Sequence, residues 1–292
     1  MLFKDKPHGL NNYFKKKALK NKTDVNASPA YLKRGLIGQH SSFAAREAYK
    51  AARTNLLFTR VGDGCQKLAF TSTFASEGKT VNCCNLALTL AQNGQKVLII
   101  DGDMRRPMVH NLFAIANQSG LSEFLAGLTI AADNGNCQAV PLVETEYPNL
   151  SVLPSGHVPP NPAELLASQR MKSLLEAMSL QFDYIFIDTP PISVVTDAAV
   201  LTQNIHGYLL VVRAGITPLE DLHSVVLKME QLGANILGFI LNDLDSKSGS
   251  YKYAGYRSYS KYGYQKSYGK YAYQQTSSYE RSAESDPEGN SP

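Results

Sequence analysis

KLAFTSTFASEGKTVNCCNLALTLAQNGQKVLIID, residues 67–101, decides the fold. It opens on a short apolar run, KLAFTS (67–72), that ends in small polar residues. GKTVNCCNLALTLAQNG (78–94) then places apolar residues at helical spacing and closes on Gly94, a helix stop. KVLIID (96–101) is a continuous apolar run, the pattern of a strand buried on both faces. Such runs recur at LSVLP (150–154), DYIFID (183–188), GYLLVVR (207–213) and ILGFILN (236–242), with helical segments between them, notably 162–180 and 218–232. Alternation of this kind predicts an α/β fold with a doubly wound, mostly parallel sheet. In that architecture ligands sit at the carboxyl ends of the strands, which directs attention to the residues just after each run.

Three zones flank and frame this pattern. Residues 1–40 are polar and basic, 41–245 carry the alternating strands and helices, and from Ser246 the sequence turns to Tyr, Gly, Ser and Lys. The chain of 292 residues is 43% hydrophobic and 18% charged, values of a globular protein rather than a disordered polyelectrolyte. No stretch approaches 18 consecutive apolar residues, and the start MLFKDKPHGLNNYFKKK lacks an apolar core, so neither a membrane span nor a secretory signal is expected. The net charge of +4 is uneven. Residues 1–40 hold nine Lys/Arg and two Asp/Glu, or +7, which leaves −3 for the rest. The body is therefore not a basic nucleic-acid-binding domain, and nucleic acid is not an expected partner. The lysines of the arm, Lys15, Lys16, Lys17, Lys20 and Lys22, suit either a solvated flexible leader or contact with an anionic surface. Cys65, Cys83, Cys84 and Cys137 form no CxxC pair, which favours reduced thiols over a zinc site.

The segment from Thr71 to Thr80 joins the first strand to the first helix and ends in Gly78-Lys79-Thr80. That triplet closes a phosphate-binding loop. Backbone N–H groups and the helix N-terminus face the phosphates, Lys79 reaches the β/γ oxygens, and the Thr80 hydroxyl ligates Mg²⁺. Ser76, Glu77, Gly78, Lys79, Thr80 and Val81 are the expected nucleotide contacts. Two departures stand out: the opening glycine of GxxxxGK[ST] is Thr73, and Phe74 stands where partition and septum-placement ATPases have a lysine. Asp101 ends the 96–101 strand and Asp103 follows it, with Arg105 after them, and Asp188 ends the 183–188 strand. Each aspartate alone could be a helix cap or turn former. Three carboxylates at two strand ends beside a GKT loop would repel unless a cation joins them, and Mg²⁺–nucleotide supplies it.

The GKT loop, LIIDGDMRRP (98–107) and IFIDTPP (185–191) are similar to the Walker A, A′ and B motifs of the bacterial tyrosine kinases. REAYKAARTNLLF (46–58), NLSVLPSGHVPPNPAELL (149–166) and DAAVL (197–201) match as well, so the resemblance covers about residues 41–245. It implies a P-loop NTPase of the partition-ATPase-like branch, using ATP and Mg²⁺. By resemblance Asp101 activates the acceptor phenol, Asp103 and Thr80 hold Mg²⁺, Asp188 supports the metal shell, and Lys79 offsets charge on the transferring phosphoryl group. The three aspartate roles remain exchangeable. No NKxD guanine reader is present, and Asn242 resembles the adenine-contacting asparagine of the family, though a turn residue would look the same. Glu47, Lys50 and Arg53 resemble the family's E-x-x-R-x-x-R oligomerisation motif, with lysine in the central position, and so imply a ring-shaped homo-oligomer. A solvated charged helix face is the alternative. The further implications are a separately encoded transmembrane activator of the polysaccharide chain-length-determinant type, protein tyrosine substrates, a cognate tyrosine phosphatase, and a cytoplasmic location at the inner face of the membrane.

The division expected is a basic arm (1–40), a kinase domain (41–245) and a disordered tyrosine-rich tail (246–292). Between Tyr251 and Tyr279 lie ten of the sixteen tyrosines: Tyr251, Tyr253, Tyr256, Tyr259, Tyr262, Tyr264, Tyr268, Tyr271, Tyr273 and Tyr279. Five Lys/Arg and no Asp or Glu are interspersed. A low-complexity tail or a single-stranded nucleic-acid binder could share this composition. Beside kinase-like motifs it reads as an autophosphorylation tail. At roughly −1.5 to −2 per phosphate, seven modified tyrosines would turn +5 into about −5 to −9. The leading reading is an ATP-dependent protein-tyrosine autokinase of capsule or exopolysaccharide systems. The alternatives are a partition- or septum-type ATPase switch without kinase activity, and a nucleotide-gated scaffold.

Overall fold

The computed structural model describes residues 35–38, 40–60, 62–128 and 140–244. The lysines of the arm, Cys137 and the ten tail tyrosines lie outside these residues. The chain separates into two units, 1–243 and 244–292. The first runs α1 (Phe43–Phe58), β1 (Gln66–Ser72), α2 (Lys79–Ala91), β2 (Val97–Asp101), α3 (Val109–Phe113), α4 (Leu121–Ala126), β3 (Val143–Glu144) and β4 (Leu150–Leu153). It continues with α5 (Pro162–Leu166), α6 (Gln169–Ser179), β5 (Tyr184–Asp188), a 3-10 turn (Ala199–Asn204), β6 (Gly207–Arg213), α7 (Leu219–Gln231) and β7 (Ile236–Asn242).

The seven strands form one sheet in the order β3-β4-β2-β5-β1-β6-β7, parallel throughout except for the short β3. The apolar runs are continuous because the sheet is covered twice. Leu68, Phe70, Val97, Ile99, Tyr184, Phe186, Leu209 and Val211 face one core, with Cys83, Cys84, Leu86 and Leu90 of α2. Ala69, Leu98, Ile100, Ile185, Ile187, Tyr208 and Leu210 face the other, with Met171, Leu174, Leu175 and Met178 of α6 and Val225 and Met229 of α7. Alternate residues of each strand thus serve opposite layers, as the two-residue period of a strand requires.

Two expectations are corrected. The helical segment 162–180 is two helices, because Ser168 leaves the helical conformation and its hydroxyl accepts the Met171 N–H at 3.3 Å, capping α6 afresh. The last apolar run is not buried on both faces. β7 is the sheet edge, and Phe239 and Leu241 are 54% and 43% exposed. Among the described residues, no helix is long and apolar enough to cross a membrane.

The chain passes from β1 to β2 across β5, which returns later to fill the gap. This order sets the carboxyl ends of β2, β5 and β1 side by side. Asp101 and Asp188 are register partners there, and Phe70 of β1 pairs with Asp188 from the other side.

Candidate functional site

The loop between β1 and α2 is held from several directions. Gly78 caps α2 at φ 92°, and a Cβ there would run into the Asn242 side-chain amide, so only glycine fits. Ser76 also has a left-handed backbone, at φ 66°. Glu77 is buried, and its carboxylate accepts the Phe74 N–H at 2.9 Å and the hydroxyl of Thr217. The Ser193 hydroxyl donates to the Thr73 carbonyl, and Arg213 Nη1 donates to the Ser76 carbonyl at 3.4 Å. Glu77 therefore contributes its backbone to the loop cavity while its side chain secures the loop from behind. Val81 packs against the α2-side core.

Lys79 and the three aspartates come together at the strand ends. Lys79 Nζ lies 2.8 Å from Asp103 Oδ2 and 3.4 Å from Asp188 Oδ2. The Thr80 hydroxyl donates to Asp188 Oδ2 at 2.6 Å. Burial alone would lower the Lys79 pKa, but the carboxylates of Asp188 and Asp103 override it and hold the ammonium charged well above its ordinary value. Burial pushes Asp188 up, against the pull of Lys79 and the Thr80 hydroxyl. Burial, and then the neighbouring Asp188, push Asp101 well above the carboxylate range.

Gly102 makes this convergence possible. Its N–H donates to the Asp188 carbonyl at 2.8 Å, and a Cβ would stand 2.9 Å from that oxygen. The chain can therefore press against the end of β5 and deliver Asp101 and Asp103 on either side of the contact. Asp101 does serve as a cap: Oδ2 accepts the N–H groups of Met108 and Val109 at 3.1 and 3.0 Å, where α3 begins. Its other oxygen, Oδ1, is buried without a partner. Asp103 Oδ1 accepts the Arg106 N–H at 3.1 Å. Arg105 forks onto the buried Asp197 through Nε at 2.8 Å and Nη2 at 3.0 Å, tying the segment after β2 to the one after β5.

Among the described residues, no group of three or more His, Cys, Asp or Glu side chains is set to hold a metal alone. The Thr80 hydroxyl, Asp103 and Asp188 offer hard oxygen donors, the partial set that Mg²⁺ accepts when phosphate and water complete its octahedron. The residues fit that ion.

Asn242 reaches the loop from the end of β7, and its Nδ2 donates to the Glu77 carbonyl at 2.9 Å. A carbonyl can only accept, so this contact fixes the amide orientation and leaves Oδ1 as a free acceptor. Glu47 and Lys50 pair with each other on the exposed side of α1 at 2.8 Å, whereas Arg53 turns inward and donates to the Thr89 carbonyl at 3.3 Å. Sequence reasoning missed Thr217, Ser193 and Asp197 as supports of the site. The signals available were their position after a strand and, for Asp197, its place at the head of the DAAVL segment.

Residues 67–235 match the AAA domain family. The tyrosine-protein kinase CpsD of Streptococcus agalactiae is 39% identical over 216 residues, covering 74% of this chain and 90% of that one. The tyrosine-protein kinase wzc of Salmonella typhi is 37% identical over 215 residues, but the chain spans only 29% of its length. Among solved structures, the kinase domain of the Escherichia coli tyrosine kinase ETK superposes with a TM-score of 0.64 at 34% identity, covering 80% of this chain and 90% of that one. With a nucleotide-binding P-loop, an aspartate pair at the end of β2 and this kinship over most of its described residues, the chain belongs to the AAA-domain family and, within it, to the bacterial tyrosine kinases.

Proposed function

We propose that the protein transfers the γ-phosphate of ATP to tyrosines of its own 251–279 segment and so regulates the assembly of a capsular or extracellular polysaccharide. The observation that carries this reading is the convergence of Lys79, Asp101, Asp103 and Asp188 beneath the N-terminus of α2. The triphosphate lies along the loop N–H groups, and Lys79 leaves Asp103 for the γ-phosphoryl oxygens. Thr80, Asp103 and Asp188 would hold Mg²⁺, which would neutralise charge on the phosphates. A tyrosine phenol is almost fully protonated at neutral pH, so a base speeds its attack. Asp101 takes that proton on Oδ1, the phenolate oxygen bonds to the γ-phosphorus, and the bond to the β-phosphate oxygen breaks to release ADP. Since Asp101 has no exposed surface, the turn that begins α3 must give way for the phenol to approach. Asn242 Oδ1 accepts from the exocyclic amine of adenine, whereas guanine would set a second acceptor against it.

The same reading includes a transmembrane activator encoded separately, a cognate phosphatase that resets the tail, a ring of copies meeting at the exposed Glu47–Lys50 side of α1 with Arg53 turned inward behind it, and a location at the inner face of the membrane. The test is incubation with labelled ATP and Mg²⁺, with and without an activator fragment, followed by phosphosite mapping. The proposal expects label on several tail tyrosines, absent in Lys79→Met. Label released only as free phosphate in the presence of activator would instead mark a switch ATPase.

A further inference from the structure

We propose that Tyr49 is a positioning residue for the nucleotide loop, acting through Asn82. The inference rests on the nucleotide-binding reading of residues 73–80. α1 packs along α2, and the Tyr49 hydroxyl donates to Asn82 Oδ1 at 3.0 Å. Asn82 Nδ2 donates to the Gly78 carbonyl at 2.9 Å, and the Asn82 backbone N–H reaches the same oxygen at 3.0 Å. Asn82 is 4% exposed, so little water can stand in for a missing partner.

Chemistry fixes the direction of this chain. The Gly78 carbonyl only accepts, so Asn82 must turn its NH₂ there and its oxygen toward Tyr49, where a donor is required. Burial pushes the Tyr49 phenol up, which keeps it a hydroxyl donor. Two bonds on one carbonyl hold the Gly78–Lys79 peptide plane. Because that peptide is planar and trans, the Lys79 N–H points away from Asn82, toward the phosphate side of the loop. Gly78, at φ 92° and without a Cβ, has no side chain of its own to hold this plane. Asn85, one turn on, joins the same hydroxyl: its Nδ2 donates to Tyr49 Oη at 3.4 Å and to the Gly35 carbonyl at 2.9 Å, and its Oδ1 accepts the Ile37 N–H at 2.7 Å. Asn85 thus secures the chain before α1 and braces the Tyr49 hydroxyl, while making no bond to the loop itself.

The test measures binding of a fluorescent, non-hydrolysable ATP analogue and the thermal midpoint in the full chain. Variants are Tyr49→Phe, Asn82→Ala, their combination, and Thr202→Val. Losing one buried hydrogen bond in the chain predicts analogue binding weaker by about 3–10-fold in each of the first two. The combination should be no weaker than Asn82→Ala alone. Thr202→Val, which removes the bonds to the Ala199 carbonyl and the Tyr208 hydroxyl in the opposite layer, should lower the thermal midpoint and keep analogue affinity within about twofold of the parent, well inside one bond's worth. Parental affinity in Tyr49→Phe, multiplying effects in the double variant, or an equal loss in Thr202→Val would each overturn the proposal. Failure of the unmodified protein to bind the analogue would remove the nucleotide-loop reading itself, an outcome separate from all of these.

Discussion

Lys79→Met examines whether the ammonium is the resident counterion of the aspartate cluster as well as a phosphate ligand. Methionine keeps the length and apolar bulk of the side chain and deletes only the charge. It leaves Asp103 and Asp188, which sit 2.8 and 3.4 Å from Nζ, together with Asp101, beside a thioether. Asp188 and Asp101 have no exposed surface, so water cannot replace the lost cation. A carboxylate in that position has two courses. Remaining ionised without its partner costs about 3–5 kcal/mol. Taking up a proton costs about 1.4 kcal/mol for each pH unit above its ordinary 3.8, or about 4 kcal/mol at pH 7 and about 2 at pH 5.

The cheaper course sets the loss, so the variant should lose about 3–4 kcal/mol at pH 7 and about 2 at pH 5. The sign follows from linkage. Without Lys79 a carboxyl's folded-state pKa rises further above 3.8, so the variant's stability is fullest below pH 4 and is lost as pH climbs through the raised value. Denaturant unfolding of nucleotide-free protein at pH 5, 6, 7 and 8 reads this directly. At pH 7 the thermal midpoint should fall by roughly 6–15 °C for a domain of this size. A parental midpoint at pH 7, or a deficit of the same size at pH 5 and pH 8, would refute the counterion argument.

Asn242→Leu removes both the bond to the Glu77 carbonyl and the free acceptor, so the preference for ADP over GDP should fall by about 5–10-fold in competition binding. An unchanged ratio would mean that the base is read elsewhere. Asp197→Asn unpairs the Arg105 fork, and because the guanidinium side chain is 44% exposed the loss in unfolding free energy should be only about 1–2 kcal/mol. No measurable loss would show that this pair does not hold the two segments together.

Asp101 and Asp188 were legible because each ends an apolar run, and a run of that kind places its last residue at the carboxyl end of a strand, with Asp103 two residues beyond the first. What the runs do not carry is strand order. Asp101 faces Asp188 across a register that exists only because β5 returns between β1 and β2. The same blindness misplaced β7: ILGFILN reads like the central strands, and only its place at the end of the strand order exposes Phe239 and Leu241. The break at Ser168 was missed for a different reason, since one serine within an amphipathic pattern is compatible with a continuous helix until its hydroxyl is seen capping Met171. Thr217 and Asn82 are single polar residues whose partners lie 140 and 4 positions away, and nothing in their neighbours marks them.

The departures in the loop illustrate how far the motif can drift without losing its shape. Thr73 takes the place of the opening glycine, and Phe74 takes a position held by lysine in related ATPases, yet the loop does not depend on either side chain. Thr73 is fixed by its carbonyl, through Ser193, and Phe74 by its N–H, through Glu77. The turn itself is made downstream, at Ser76 and Gly78, where the left-handed conformations occur. Glu77 is the joint between these halves: its carboxylate binds the first and its carbonyl, through Asn242, anchors the second to β7. A phosphate cradle needs backbone donors held at fixed angles, and any set of side chains that fixes the peptide planes will serve. The pattern in the sequence records only one such set, which is why its first glycine could be exchanged while Gly78, squeezed against Asn242, could not.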